Sequence, residues 1–388
     1  MTSDRMSLAE LQALLDQSAD EATRVCRARL AQQPDDVGAA FVLAQALARF
    51  GRTEDAEQAF LAVVGMPGFN DARVDVFSGT PGPTARDRDN EAVVRSLWQE
   101  YAQVVAREGW FDQALQEART PMAPVPEPHR PDTWNNHLPS TAAPSGKLIS
   151  LVSFSTPNFA EAQNGLSLSA LRVGEIDQAV LWTTADFAQT ACFKDHPALL
   201  SRRRGGGYWA WKPYIIHQEM LQCEDGDYVI YHDSGRGPGL RFERSVRDLV
   251  DWCEASPHGI LPGVRMDDVG PSRFWIKRDC FVVMDCDSAA YWEYPQVSAR
   301  FSVWKNSAFA RQFVREWLDY ALDPRTITDH PNVCGLPNLD GFIDHRHDQA
   351  ILTNLTVRHK LNPPALTSGS ASEIGMALRA RMEAARGT

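Results

Sequence analysis

Three short segments of the chain hold residue types that could do chemistry together. GDYVIYHDSG is an apolar run that stops at Asp233 and turns at Ser234-Gly235. A carboxylate at such a strand end can hold a hard cation or a sugar hydroxyl, and by itself it would also serve to fix a turn. Upstream, SRRRGGGYWAWKPYII (201–216) sets Arg202, Arg203 and Arg204 before Gly205-Gly206-Gly207 and then Tyr208, Trp209, Trp211 and Lys212. Guanidinium and ammonium groups answer phosphate charge, glycine lets backbone approach closely, and aromatic faces stack on rings, so this mixture suits a phosphorylated ligand that carries a base or a sugar. The glycines are not followed by the GK[ST] of a phosphate-binding loop. Downstream, GFIDHRHDQAILTNL places Asp344, His345, Arg346, His347, Asp348 and Gln349 ahead of an apolar helix. There Asp348 and Gln349 would project from a helix start into a cleft beside a donor sugar, with His345, His347 and Arg346 turned to an acceptor. Asp348 would equally satisfy the first free amides as an N-cap.

The elements around these segments predict how they are positioned. KLISLVSF (147–154) is an almost wholly apolar run suited to a buried parallel strand, and a helical stretch follows it through Leu171. QAVLWTT is a second strand, a helix spans Trp211 to Gln222, and YVIYHD is a third strand ending at Asp233. A helix near Ser245 to Cys253, a strand VSARFSVWK, a helix near Ser307 to Leu322 and a last helix from Asp348 complete the alternation. Alternating strands and helices imply an α/β sheet covered by helices, with ligands at the carboxyl ends of the strands. Lys277 and Asp279 are further cleft candidates, and Asp329 and Asn332 in TDHPNVCGLPN would shape a lid.

The first part of the chain has another texture. Residues 1–119 are rich in Ala, Leu, Gln, Glu and Arg at helical spacing, and Ala22 and Cys26 are matched 34 positions later by Ala56 and Phe60. A unit of helix, turn at Gly51 and helix repeats again through Tyr101, Gly109 and Ala114, after a Gly/Pro-rich insertion near 78–84. This resembles the helix pairs of tetratricopeptide repeats, in which stacked pairs bury one face and offer another to a partner. A Pro-rich linker (120–146) joins it to an α/β domain (147–365), and a tail (366–388) follows.

Composition narrows the partners. Of 388 residues, Lys+Arg make 39 and Asp+Glu 50, a net charge of −11, which argues against a nucleic-acid binder. Seven scattered cysteines without CxxC pairs read as reduced thiols in the cytoplasm. No apolar run approaches the ~20 residues that span a bilayer, so work at a membrane would be done peripherally, from its inner face.

Taken in order, GGGYWAWKPYII, YVIYHDSG, WIKRDCFVVMD, ITDHPNVCG and HRHDQAIL resemble a bacterial group of GT-A-type glycosyltransferases linked to surface polysaccharides. The resemblance covers roughly Lys147 to Leu361. It implies a Rossmann-like sheet that binds a nucleotide-sugar donor, with UDP-sugars favoured, and a glycan or glycolipid acceptor. It also implies a Mn²⁺ or Mg²⁺ ion bridging the diphosphate through an Asp-x-Asp motif. By that likeness Asp233 is the metal carboxylate and His359 a second ligand, while Arg204, Tyr208, Trp211, Lys212, Asp233 and Ser234 hold the donor. Gly235 stands where the motif has its second Asp, so the metal would be held by one carboxylate fewer. Asp348-Gln349 is similar to the Asp-Gln element of retaining enzymes; an inverting enzyme would instead need a base such as Asp344 or Asp340. Two other classes fit the same residues: an inactive sugar or nucleotide binder on a helical scaffold, and a nucleotidyltransferase. The helical domain would bind a protein partner or a second copy of the chain.

Overall fold

The computed structural model describes residues 6–64, 66, 85–107, 109–119, 137–139, 146–235 and 241–366. The insertion near 78–84, most of the linker 120–146 and nearly all of the tail 366–388 lie outside the described residues. The chain divides into two compact units, Met1–Phe111 with Asp329–Pro331, and Asp112–Thr328 with Asn332–Thr388.

The smaller unit is built from helices α1 (Leu8–Gln17), α2 (Ala19–Gln32), α3 (Val37–Arg49), α4 (Thr53–Val64) and α5 (Ala85–Ala106); α6 (Trp110–Arg119) straddles the division. Each of the first three starts where a side-chain oxygen meets the free amides: Ser7 with Glu10 in a reciprocal capping box, Ser18, and Asp36. Gly51, with φ +71°, turns the chain between α3 and α4. Helix α3 packs against α1, α2 and α4. Ala22, Cys26, Ala56 and Phe60, the four residues of the 34-residue spacing, are all fully buried. Phe60 meets Phe41 and Tyr101 edge to face.

The larger unit is α/β. Its main sheet contains β1 (His137–Pro139), β2 (Ile149–Ser155), β3 (Gln178–Thr183), β4 (Tyr228–His232), β5 (Ile260–Leu261) and β8 (Phe301–Lys305), in the order β1-β3-β2-β4-β8-β5. Strands β3, β2 and β4 run parallel, and β1, β8 and β5 add antiparallel pairings. Every residue of β2 and β4 is buried, which is why both read as nearly continuous apolar runs and not as an alternation. A second sheet of β6 (Val264–Pro271), β7 (Pro295–Ser298) and β9 (Ala365–Leu366) has the order β7-β6-β9.

Helices α7 (Ala160–Arg172), α8 (Trp211–Gln222), α9 (Arg247–Ala255), α10 (Ala308–Ala321) and α11 (His347–Arg358) cover the strands. Ile149, Leu151, Leu166, Ile230, Phe301 and Val303 share one core cluster. Helix α8 lies between β2 and β4 on one side and α10 on the other, so its residues from Trp211 to Met220 are all buried. VSARFSVWK, expected as one strand, is divided: the chain breaks at Ala299-Arg300, with β7 in one sheet and β8 in the other. A period of two cannot show such a switch, because both pieces keep the alternation. Its consequence is local, since the amide of Asp233 donates to the Arg300 carbonyl at 2.8 Å. Among the described residues no helix is long and apolar enough to cross a membrane.

Candidate functional site

Strand β2 has β3 on one side and β4 on the other, so the chain leaves it in opposite directions and opens a crevice at the carboxyl ends of β2 and β4. Open α/β sheets bind ligands at such a switch of strand order. A cavity of about 420 Å³ lies there. It is lined by Phe154, Ser155, Thr156 and Phe159 at and just after the end of β2, by Arg203, Gly205, Gly206, Trp209 and Trp211 before and within α8, and by Tyr231, Asp233, Ser234 and Gly235 at and after the end of β4. The volume falls in the range of small-molecule sites.

The aromatic wall is held by packing. Trp211 stacks on Phe154 with centroids 3.9 Å apart and donates its indole N–H to the Gly205 carbonyl at 2.9 Å. Ser234 Oγ donates to the Phe154 carbonyl, so the ends of β2 and β4 are joined directly. Five successive residues, Gly205 to Trp209, have φ of 56°, 59°, 90°, 55° and 61°. They form a left-handed turn in which the amides of Gly206, Gly207, Tyr208, Trp209 and Ala210 donate to the carbonyls of Arg203, Arg202, Arg204, Gly205 and Gly207. The glycines therefore build a turn; the amides that a phosphate cradle would use are spent inside it. Tyr208 and Trp209 hold a conformation that costs a residue with a Cβ roughly 1–2 kcal/mol, strain of the kind that gathers at functional sites.

The charges form a chain running inward. Asp233, 28% exposed, receives the Tyr231 phenol on Oδ1 at 2.5 Å, and Arg300 Nε lies 4.0 Å from its Oδ2. Behind it Lys212, 3% exposed, stands 3.5 Å from Asp233 and 2.7 Å from Asp348. Burial opposes the Lys212 charge, but the two carboxylates outweigh it and hold the ammonium above its usual range. Burial pushes the Asp348 carboxyl up to about 6 against the pull of Lys212. Burial and the Asp233 charge raise the Tyr231 phenol well above its usual range, so it stays a donor.

Of the expected donor residues, Trp211, Asp233 and Ser234 line the cavity, and Arg204, Tyr208 and Lys212 do not. Arg204 is 7% exposed and donates Nε to His347 Nε2 at 2.9 Å; its neighbour Arg203 faces the cavity instead. Tyr208 is fully buried. Asp348 and Gln349 begin α11 as expected, but Asp348 is turned to Lys212 and Gln349 donates to Gln296 at 3.1 Å.

The two histidines correct the expectation of an acceptor side. His347 is buried, accepts from Arg204, and so must donate Nδ1–H to the Ile327 carbonyl at 2.7 Å. His345 accepts the Lys277 amide on Nδ1 and donates Nε2–H to Thr326 at 2.7 Å. Burial, aided by Lys277 and Arg204, keeps both well below the usual imidazole range, hence neutral. Trp209 stacks on His347 at 5.2 Å, so the histidine anchors the left-handed turn to the start of α11. His232 packs on Phe242 and Phe301. Asp279 accepts the amides of Val333 and Cys334, and Asn332 accepts the Asp279 amide; these residues fix a loop.

His359 bonds to Glu316 at 2.8 Å and packs on Phe309 and Phe313, and its contacts do not include Asp233. Among the described residues no group of three or more His, Cys, Asp or Glu side chains is gathered to hold a metal. A divalent ion does not fit the residues present: among the described residues Asp233 is the one carboxylate that lines the cavity, and a buried ammonium already faces it. The residues at the end of β2 escaped the sequence reading. The rule that placed Asp233 at a strand end applies equally to FSTPNF after KLISLVSF. No family model, curated protein or solved structure matches the chain.

Proposed function

We propose that the larger unit is a glycosyltransferase with a GT-A-like sheet that binds a nucleoside diphosphate sugar, a UDP-sugar in first place, and transfers the sugar to a hydroxyl of a glycan or glycolipid. The carrying observation is the cavity at the carboxyl ends of β2 and β4, which sets indole faces, Arg203 and Asp233 around one space. Trp209, Trp211 and Phe159 offer faces to the base or the sugar ring, Arg203 meets the diphosphate, and Asp233 accepts sugar hydroxyls. In transfer the bond from anomeric carbon to phosphate oxygen breaks and the acceptor oxygen attacks. With retention, the acceptor proton passes to the leaving phosphate, whose charge Arg203 stabilises. Asp348 and Gln349 act as positioning residues, through Lys212 and Gln296. The smaller unit would be a tetratricopeptide-like scaffold for a partner protein or a second copy.

One observation favours a second reading, a sugar-nucleotide binder without turnover: the Asp348 carboxylate is turned to Lys212 and does not line the cavity. Calorimetry with UDP, GDP, CMP and ADP, followed by an assay of nucleotide release with and without a glycan acceptor, separates the two. Acceptor-dependent release that Asp233→Ala abolishes while the fold persists supports transfer. Binding without release supports the second reading, pyrophosphate release points to a nucleotidyltransferase, and no binding at all removes the nucleotide.

A further inference from the structure

Asp233 is the carboxylate that a cation entering the cavity would meet, and its charge is already answered from within. Lys212 Nζ lies 3.5 Å from Asp233 Oδ1 and 2.7 Å from Asp348 Oδ2, donates to the Ala299 carbonyl at 3.0 Å, and sits over the Tyr231 ring at 5.1 Å. The ammonium is thus held by two carboxylates, one carbonyl and one ring face, and at 3% exposure it is shielded from solvent. Its stem is fixed too, because α8 is buried along this stretch. The carbonyl comes from the break between β7 and β8, so the fold supplies a ligand for the cation as well as counter-charges.

We propose that Lys212 is a resident cation, occupying the space between Asp233 and Asp348 that a divalent ion would need, so that the cavity takes its phosphorylated ligand without metal. Two carboxylates and a carbonyl oxygen around one site are the hard-oxygen donors that Mg²⁺ or Mn²⁺ prefers. Here they are assembled around the ammonium of a side chain tethered to a buried helix. The ligand named rests on the nucleotide-sugar reading; the cation geometry does not. It follows that removing the ammonium should create a metal site where none operates.

Mn²⁺ alone, titrated at pH 8 and followed by electron paramagnetic resonance, tests this. The wild-type chain should show no saturable uptake below about 1 mM, the weak end of protein sites for divalent ions. Lys212→Met should take up one Mn²⁺ at least about tenfold more tightly, because two facing carboxylates lose their internal counter-charge. Wild-type uptake of one ion that Asp233→Asn removes would overturn the proposal, as would a Lys212→Met chain that binds Mn²⁺ no better than wild type. Should that variant not fold, calorimetry of UDP on the wild-type chain decides. Equal affinity in Mn²⁺ and in EDTA, within about twofold, supports the resident cation, and a strengthening by Mn²⁺ of about tenfold, 1.4 kcal/mol, overturns it. Failure of UDP to bind in both would remove the nucleotide reading and leave the Mn²⁺ uptake of the wild-type chain to decide the cation.

Discussion

Three adjacent glycines, each replaced by alanine, should give three different outcomes, because the turn uses each differently. All three have positive φ, so each alanine carries a strain of about 1 kcal/mol from the left-handed region. At Gly206 that is nearly the whole cost, since an added methyl meets nothing nearer than Trp211 Nε1 at 3.8 Å. At Gly207 the methyl would stand 2.8 Å from both Cα and O of Leu200, backbone atoms that cannot rotate away. Overpacking of that kind adds roughly 1–3 kcal/mol, for a total of about 2–4 kcal/mol. At Gly205 the methyl would overlap the Trp209 indole, a side chain that can move. The stability loss there stays near 1–2 kcal/mol, but the indole leaves the cavity wall, and a stacked ring is worth about 1–3 kcal/mol. Urea unfolding followed by tryptophan fluorescence should therefore rank the losses Gly206→Ala, Gly205→Ala, Gly207→Ala in rising order. UDP calorimetry should single out Gly205→Ala with a weakening of about tenfold or more. Equal losses in all three variants, or a Gly207→Ala chain as stable as Gly206→Ala, would refute the left-handed turn as described.

Three further outcomes are expected. The Asp348 carboxyl, raised from an ordinary 3.8 to about 6, contributes stability that is fully present below the ordinary value and is lost as the pH rises through about 6. Turnover in the proposed transfer should move the other way, falling below about pH 6 as protonation strips Lys212 of one of its two counter-charges, and a pH profile in which Asp348→Asn keeps the same acid limb would contradict this. Arg203→Ala should weaken UDP at least about tenfold while leaving uridine unchanged, since a charged hydrogen bond is worth about 1.5–3 kcal/mol, and equal weakening of both would detach Arg203 from the phosphates. His347→Phe removes the acceptor of Arg204 Nε and the donor to the Ile327 carbonyl, so unfolding in urea should show a loss of about 2–3 kcal/mol of stability; an unchanged midpoint would show that the histidine is not the anchor of the turn.

How far the chain could be read from its sequence differs between elements and side chains. Periodicity gave Trp211–Gln222 its bounds and ended a strand at Asp233, which lies one residue past the observed end of β4, because burial on both faces of β2 and β4 leaves a nearly continuous apolar record. The same record says nothing of sheet membership, so VSARFSVWK looked like one strand and the Ala299 carbonyl beside Lys212 was invisible. Among the arginines the reading chose Arg204 where the cavity has Arg203. That choice hangs on five positive φ angles in a row, and a Tyr-Trp pair in a left-handed turn leaves no local signature beyond the glycines before it.

The histidines show why composition around a site misleads in a definite direction. His345, His347, Arg204 and Asp348 are the residue types of a reaction centre, and here they bond mainly to one another and to backbone, in the layer behind the cavity wall. A left-handed turn and a buried ammonium are costly arrangements, and only a densely hydrogen-bonded layer can hold them. Among the described residues, the cavity surface itself is left to aromatic faces, three hydroxyl side chains, glycines, one guanidinium and one carboxylate. Chemistry-bearing residues in a sequence thus mark where a site is supported as readily as where it touches its ligand. The burial of Lys212 between two carboxylates is the place where these roles meet: a charge that does not line the cavity stands against Asp233, which does.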